Sequence, residues 1–137
     1  MKITRVTEDT KFKIDYAWFD KNGQDVNVLI AKCLTSEQLE QVGDEPLDAT
    51  FDFVDPETAE VSRVTRAMQL IYSERATDPE FINPHTPVAE AVFRAFLLNH
   101  NVPMSATDLA MRVGRTAKEI IDRLGGRVVY NGIKPLT

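Results

Sequence analysis

The first fifty residues read as two apolar runs around a turn. Through KFKIDYAWFD (11–20) apolar and polar residues alternate, placing Phe12, Ile14, Tyr16 and Trp18 on one face. That is the period of a half-buried strand. DVNVLIAKCL (25–34) is a second run, and KNGQ lies between them. Asn22-Gly23 is the strongest short hairpin signal, because both central residues of a type I′ turn need positive φ. The predicted register sets Phe12 opposite Cys33, Ile14 opposite Ala31 and Tyr16 opposite Leu29. The other face carries Phe19, Val26, Val28 and Ile30, and KITRV (2–6) adds a candidate edge strand. TSEQLEQVG (35–43) predicts a short helix capped by Thr35 or Ser36 and stopped by Gly43. ATFDFV (49–54) predicts a strand and DPET (55–58) a type I turn. A short strand at 59–63 and a helix from Thr65, its cap, to Arg75 follow. The spacing of Val61, Val64, Met68 and Ile71 also allows a helix starting at Pro56.

TDPEFINPHTP (77–87) breaks the pattern. Its prolines remove donors and bias the residues before them away from helix, so the domain boundary is expected here. Thr86 then Pro87 reads as a cap and first helical residue. Ala89, Val92, Phe93, Phe96 and Leu97 form one apolar stripe, so this helix is expected to run to about Asn99. Ser105 with Asp108 opens a second helix bearing Leu109, Ala110 and Val113. Gly114 ends it as a left-handed C-cap. Thr116 and Glu119 form a capping box at a third helix. Its stripe is Ala117, Ile120, Ile121 and Leu124, and Gly125-Gly126 stops it. RVVYNGIKPL (127–136) then predicts a second type I′ hairpin around Asn131-Gly132.

Helix, short helix, tight turn at Gly114, helix, hairpin: residues 87–137 resemble the winged helix-turn-helix family. The resemblance implies that the third helix is the recognition element in a DNA major groove and that the hairpin is the wing. Its first turn would present Arg115, Thr116 and Lys118. A helix N-terminus suits a phosphate, and Arg115 or Lys118 suits guanine. Arg123, Arg127 and Lys134 would add phosphate contacts, and the wing tip would bring Asn131. The same residues have a second reading. Lys118 and Asp122, like Glu119 and Arg123, stand four apart, so the outer face can neutralise itself. The wing tip carries no charge.

Charge sharpens the division. Residues 1–86 hold nine Lys/Arg and seventeen Asp/Glu, net −8, whereas residues 87–137 hold seven and four, net +3. Two surfaces with different partners are expected. No run approaches the roughly 20 apolar residues of a membrane span, and MKITRVTEDTKF has no secretory apolar core. With Cys33 alone in the apolar run VLIAKCL, these features predict a cytoplasmic protein with one inert buried thiol. His85 and His100 lie in loops without partners at metal-ligand spacing. No Gly-rich phosphate loop, nucleophile elbow or zinc-protease motif occurs, so no enzyme activity and no cofactor is expected. Asp52, Asp55 and Glu57 cluster at DPET, where Asp55 is expected to serve its own turn rather than a metal. The aromatic face of Phe12, Tyr16 and Trp18 reads as core rather than as a base-stacking platform.

The expected protein is therefore α+β. A small N-terminal antiparallel sheet with one or two helices (1–76), a Pro-rich linker (77–86) and a three-helix winged helix-turn-helix unit (87–137) follow in order. The leading expectation is a DNA-binding regulatory protein whose acidic N-terminal domain mediates dimerisation or partner contact. The alternative is a protein-interaction or assembly module using the winged fold without DNA.

Overall fold

A computed structural model describes residues 5–136. In chain order the elements are β1 (Lys11–Ile14), α1 (Tyr16–Lys21), α2 (Val26–Ala31), α3 (Ser36–Val42), β2 (Thr50–Val54), β3 (Val61–Thr65) and α4 (Arg66–Leu70). A π-helical turn (Ile71–Arg75), α5 (Val88–Leu98), β4 (Met104–Ser105), α6 (Ala106–Val113), α7 (Ala117–Leu124) and β5 (Ile133–Pro135) complete the described residues. The protein is α+β, with antiparallel strand pairs throughout.

Two compact units result: residues 1–24 with 82–137, and residues 25–81. This differs from a division at 76 and 87, because the first strand joins the C-terminal helices. β1 is the middle strand of a three-stranded sheet, order β4-β1-β5. Phe12 pairs with Met104 on one side and Pro135 on the other, and Ile14 with Ile133. Where β4 ends, a side chain continues the ladder. Asn101 Oδ1 accepts from the Ile14 N–H at 2.8 Å, and its amide nitrogen donates to the Ile14 carbonyl at 2.9 Å. Asn101 sits at φ 57°, a conformation asparagine tolerates better than most residues.

The predicted N-terminal hairpin does not form. Only Lys11–Ile14 is strand, and both flanks of Asn22-Gly23 are helical. Two aspartates support the helical alternative. Asp15 accepts from the Ala17 N–H at 3.1 Å and Asp25 from the Asn27 N–H at 2.9 Å, each capping a helix. Gly23 does take positive φ (65°), but Asn22 stays at −107°. The Gln24 N–H donates to the Phe19 carbonyl (2.8 Å) and the Gly23 N–H to that of Asp20 (3.3 Å), the pattern of a Schellman helix stop. The Phe12–Cys33, Ile14–Ala31 and Tyr16–Leu29 pairings therefore do not exist. Tyr16, placed with Phe12 on the predicted apolar face, is 43% exposed, whereas Phe12 is fully buried. In the second run Val26 and Ile30 also keep helical spacing, a signal that alternation hid. Of the predicted KITRV edge strand, residues 2–4 lie outside the described residues, and Arg5 and Val6 are not strand.

From Thr35 onward the unit of residues 25–81 matches expectation more closely, although the strand expected at 59–63 lies at Val61–Thr65. Thr35 caps α3 with Gln38 in a capping box, and Gly43 ends it. β2 and β3 pair from Thr50–Thr65 to Val54–Val61. Asp55 accepts from the Glu57 and Thr58 N–H groups at 2.8 and 3.3 Å, so this carboxylate serves its own turn. Thr65 caps α4, and the helix reaches Arg75 through the π-helical turn. Ile30, Cys33, Leu34, Val42, Leu70 and Ile71 form the buried set.

In the other unit α5 is the hub: the predicted stripe Ala89, Val92, Phe93, Phe96 and Leu97 is buried, and so are Ala91 and Ala95. Its start differs from expectation. The N-cap is Pro87 and has no side-chain bond, while the Thr86 hydroxyl accepts from the Asn83 N–H at 3.1 Å. Ser105 with Asp108 and Thr116 with Glu119 form the two capping boxes, and Gly114 ends α6 at φ 68°. Ile120 and Leu124 turn inward from α7.

The second hairpin forms only at its turn. Asn131 and Gly132 have φ 54° and 71°, and the Ile133 N–H donates to the Tyr130 carbonyl at 3.0 Å. Tyr130 and Ile133 make one isolated bridge, and beyond it β5 pairs with β1 instead of with residues 127–130. A Cβ on Gly132 would lie 2.6 Å from the Phe19 ring, so α1 packs directly onto this turn.

Candidate nucleic-acid interface

The seven sequence-predicted contact residues lie on or beside α7, but most of them are engaged within the protein. Arg115 is the clearest case. Its Nη2 donates to the Pro84 carbonyl at 2.9 Å and to the Thr86 carbonyl at 2.6 Å. Its Nη1 stands 3.8 Å from the Glu119 carboxylate, and the side chain is only 18% exposed. Arg115 thus ties the segment before α5 to the turn between α6 and α7. A rigid guanidinium fork suits two carbonyls at once.

Thr116 is spent on the capping box, accepting from the Glu119 N–H at 3.1 Å. Lys118 donates to Asp122 at 2.6 Å, with both side chains largely in solvent. That bond holds the Lys118 ammonium above its ordinary pKa. Exposed pairs of this kind contribute little stability, so Lys118 remains able to exchange partners. Arg123 does not pair with Glu119. Its guanidinium lies over the Tyr130 ring, 4.7 Å from the centroid, and the residue is exposed. Arg127 is exposed and forms no ion pair among the described residues. Asn131 supplies a left-handed turn position.

Lys134, on β5, donates to Asp15 at 3.0 Å with both side chains about one-third exposed. The Lys134 bond is the largest cause holding the Asp15 carboxyl below its usual range. Asp15 therefore caps α1 and anchors β5 at once. No local spacing in the sequence could reveal this pair, since it spans 119 positions.

Apolar surface on this unit went unnoticed in the sequence. Met111 is 82% exposed on α6, and Val102, in the turn before β4, is 54% exposed. With Asn99, Met104, Asp108 and Arg112 they line a hollow of about 300 Å³. The only hint was that Met111 falls off the Leu109–Val113 stripe. The edge of β5 is closed to strand addition. Gly132, Lys134 and Leu136 bond toward β1, leaving Ile133 and Pro135 facing away. Pro135 has no N–H, and Ile133 uses its own in the turn.

Charge divides by unit more sharply than by sequence half. Residues 1–24 and 82–137 hold twelve Lys/Arg and eight Asp/Glu, net +4, whereas residues 25–81 hold four and thirteen, net −9. Among the described residues no group of three or more His, Cys, Asp or Glu side chains could hold a metal ion, and no helix is long and apolar enough to cross a membrane. The chain matches no family model, no curated protein and no solved structure.

Proposed function

We propose that this chain is a non-enzymatic protein-interaction or assembly module, in which β1, α1 and residues 82–136 form a winged-helix-like unit that works without reading DNA. Met111 carries the reading. A flexible apolar side chain left 82% in water, beside Val102 and a 300 Å³ hollow, is what a protein partner covers. The state of the cations supports it. Arg115 and Lys134 are held by internal partners, and α7 balances Lys118 and Arg123 against Glu119 and Asp122. The wing is a turn with one bridge, too short to reach along a groove.

A second reading, DNA binding through α7, keeps one observation in its favour: the unit is net +4, and Lys118, Arg123 and Arg127 are exposed. Fluorescence anisotropy with random duplex DNA across a salt series separates the two. The interaction reading expects no saturable binding even at low salt. Binding that weakens by about 0.9 log unit per log unit of salt for each neutralised phosphate, and that Arg123→Ala with Arg127→Ala diminishes, would replace it with the DNA reading.

A further inference from the structure

A second surface lies on the unit of residues 25–81 and does not depend on Met111 or α7. The β2–β3 ribbon has two strands only, and its faces differ. Phe51 and Phe53 point to one side, where Arg66 stacks on Phe51 at 4.2 Å and Tyr72 meets Phe53 at 5.6 Å. On the other side the alternate residues Asp52 and Val54 face Arg63 and Val61 across the strands. That side is open. Val54 and Val61, directly opposite one another, are 57% and 62% exposed. A two-stranded ribbon with one bare apolar pair is an incomplete sheet face.

The charge around the pair selects what can cover it. Glu57 and Glu60, in the connecting turn, are exposed and form no ion pair among the described residues. Among the described residues Asp52 has only Arg63 as an ion-pair partner, at 3.7 Å, with both side chains about two-thirds exposed. The remaining arginines of the unit are committed elsewhere, Arg66 to Glu45 and Arg75 to Asp78. A nucleic acid or a second −9 unit would be repelled. We infer that the outer face of the β2–β3 ribbon docks a basic segment of another protein, one whose aliphatic side chains cover Val54 and Val61 while its Lys or Arg side chains meet Asp52, Glu57 and Glu60.

The test uses the full chain and an alternating Lys/Val peptide, with Lys/Ser and Glu/Val peptides as controls, read by amide chemical shifts at about 20 mM salt. The Lys/Val peptide is expected to shift the amides of residues 50–65 saturably, with the controls at least several-fold weaker. Glu57→Gln with Glu60→Gln is expected to weaken binding by about threefold or more. Val54→Thr with Val61→Thr, which keeps the β-branched shape, is expected to weaken it similarly, and unchanged shifts elsewhere verify the fold. The inference is overturned by no shifts at about 1 mM peptide, by shifts confined to other residues, or by a Lys/Ser peptide that binds as tightly. A concentration-dependent dimer abolished by the valine substitutions also overturns it, since a second copy would then fill the face. Failure here leaves the reading of Met111 untouched, because the two surfaces share no residue.

Discussion

Asn101 shows how much one side chain can carry. It replaces a strand partner for Ile14 with two hydrogen bonds and holds a left-handed conformation while doing so. Asn101→Gly keeps the conformation and loses the bonds, and is expected to cost about 2 kcal/mol. Asn101→Ala adds backbone strain and should cost about 3 kcal/mol. Urea denaturation ranks the two, and equal or negligible losses would remove the side chain from the sheet. Lys134 makes a pH-dependent contribution. Because the pair lowers the folded pKa of Asp15, its stabilisation is present above the ordinary carboxyl value near 4 and fades as pH falls through the lower folded value. Lys134→Met is therefore expected to be less stable than wild type at pH 7 and to converge with it in acid. A gap that persists unchanged to about pH 2 would assign the loss to packing instead.

At the scale of elements, β1 decides the architecture of its unit. Among the described residues it alone joins β4 to β5, so residues 82–136 without it keep only the Tyr130–Ile133 bridge. A peptide of 82–137 is expected to give a poorly dispersed amide spectrum, and addition of a 5–24 peptide to restore dispersion. A well-ordered 82–137 fragment would show that its helices suffice. The turn that receives α1 makes a related demand. Gly132→Ala both strains a positive φ and drives a methyl into the buried Phe19 ring. A loss of about 2 to 4 kcal/mol is expected from denaturation, and a loss under 1 kcal/mol would mean that α1 gives way easily.

At the scale of the molecule, the two units are electrically unlike. A net charge of −9 on residues 25–81 opposes their compact state, and salt screens that repulsion. Raising salt from about 10 mM to about 300 mM is expected to slow amide exchange in β2 and β3 more than in α5. Exchange that is indifferent to salt in the ribbon would show that its carboxylates are too dispersed to matter.

How much of this was legible in advance depended on the range of the interaction. The Ser105–Asp108 start, the Thr116 capping box, the Gly43 and Gly114 stops and the stripe of α5 were readable because each follows from residues a few positions apart, whereas the start at Thr35 was readable only as Thr35 or Ser36. The candidate interface was legible only as positions. That Lys118 meets Asp122 follows from helical spacing, but nothing local ties Arg115 to the Pro84 carbonyl or Lys134 to Asp15. Residues 11–34 misled for a physical reason: alternation, Asn22-Gly23 and two aspartates suit either a hairpin or two capped helices. Burying Phe12 and Ile14 between two distant strands selected the helices. The sequence by itself determined the ends of α3, α6 and α7, the Asn131-Gly132 turn and the separation of charge, all properties of near neighbours or of composition. Tertiary structure alone decided which strands β1 pairs with, which cations keep a free hand and where Met111 is left in water, because those depend on contacts between residues far apart in the chain.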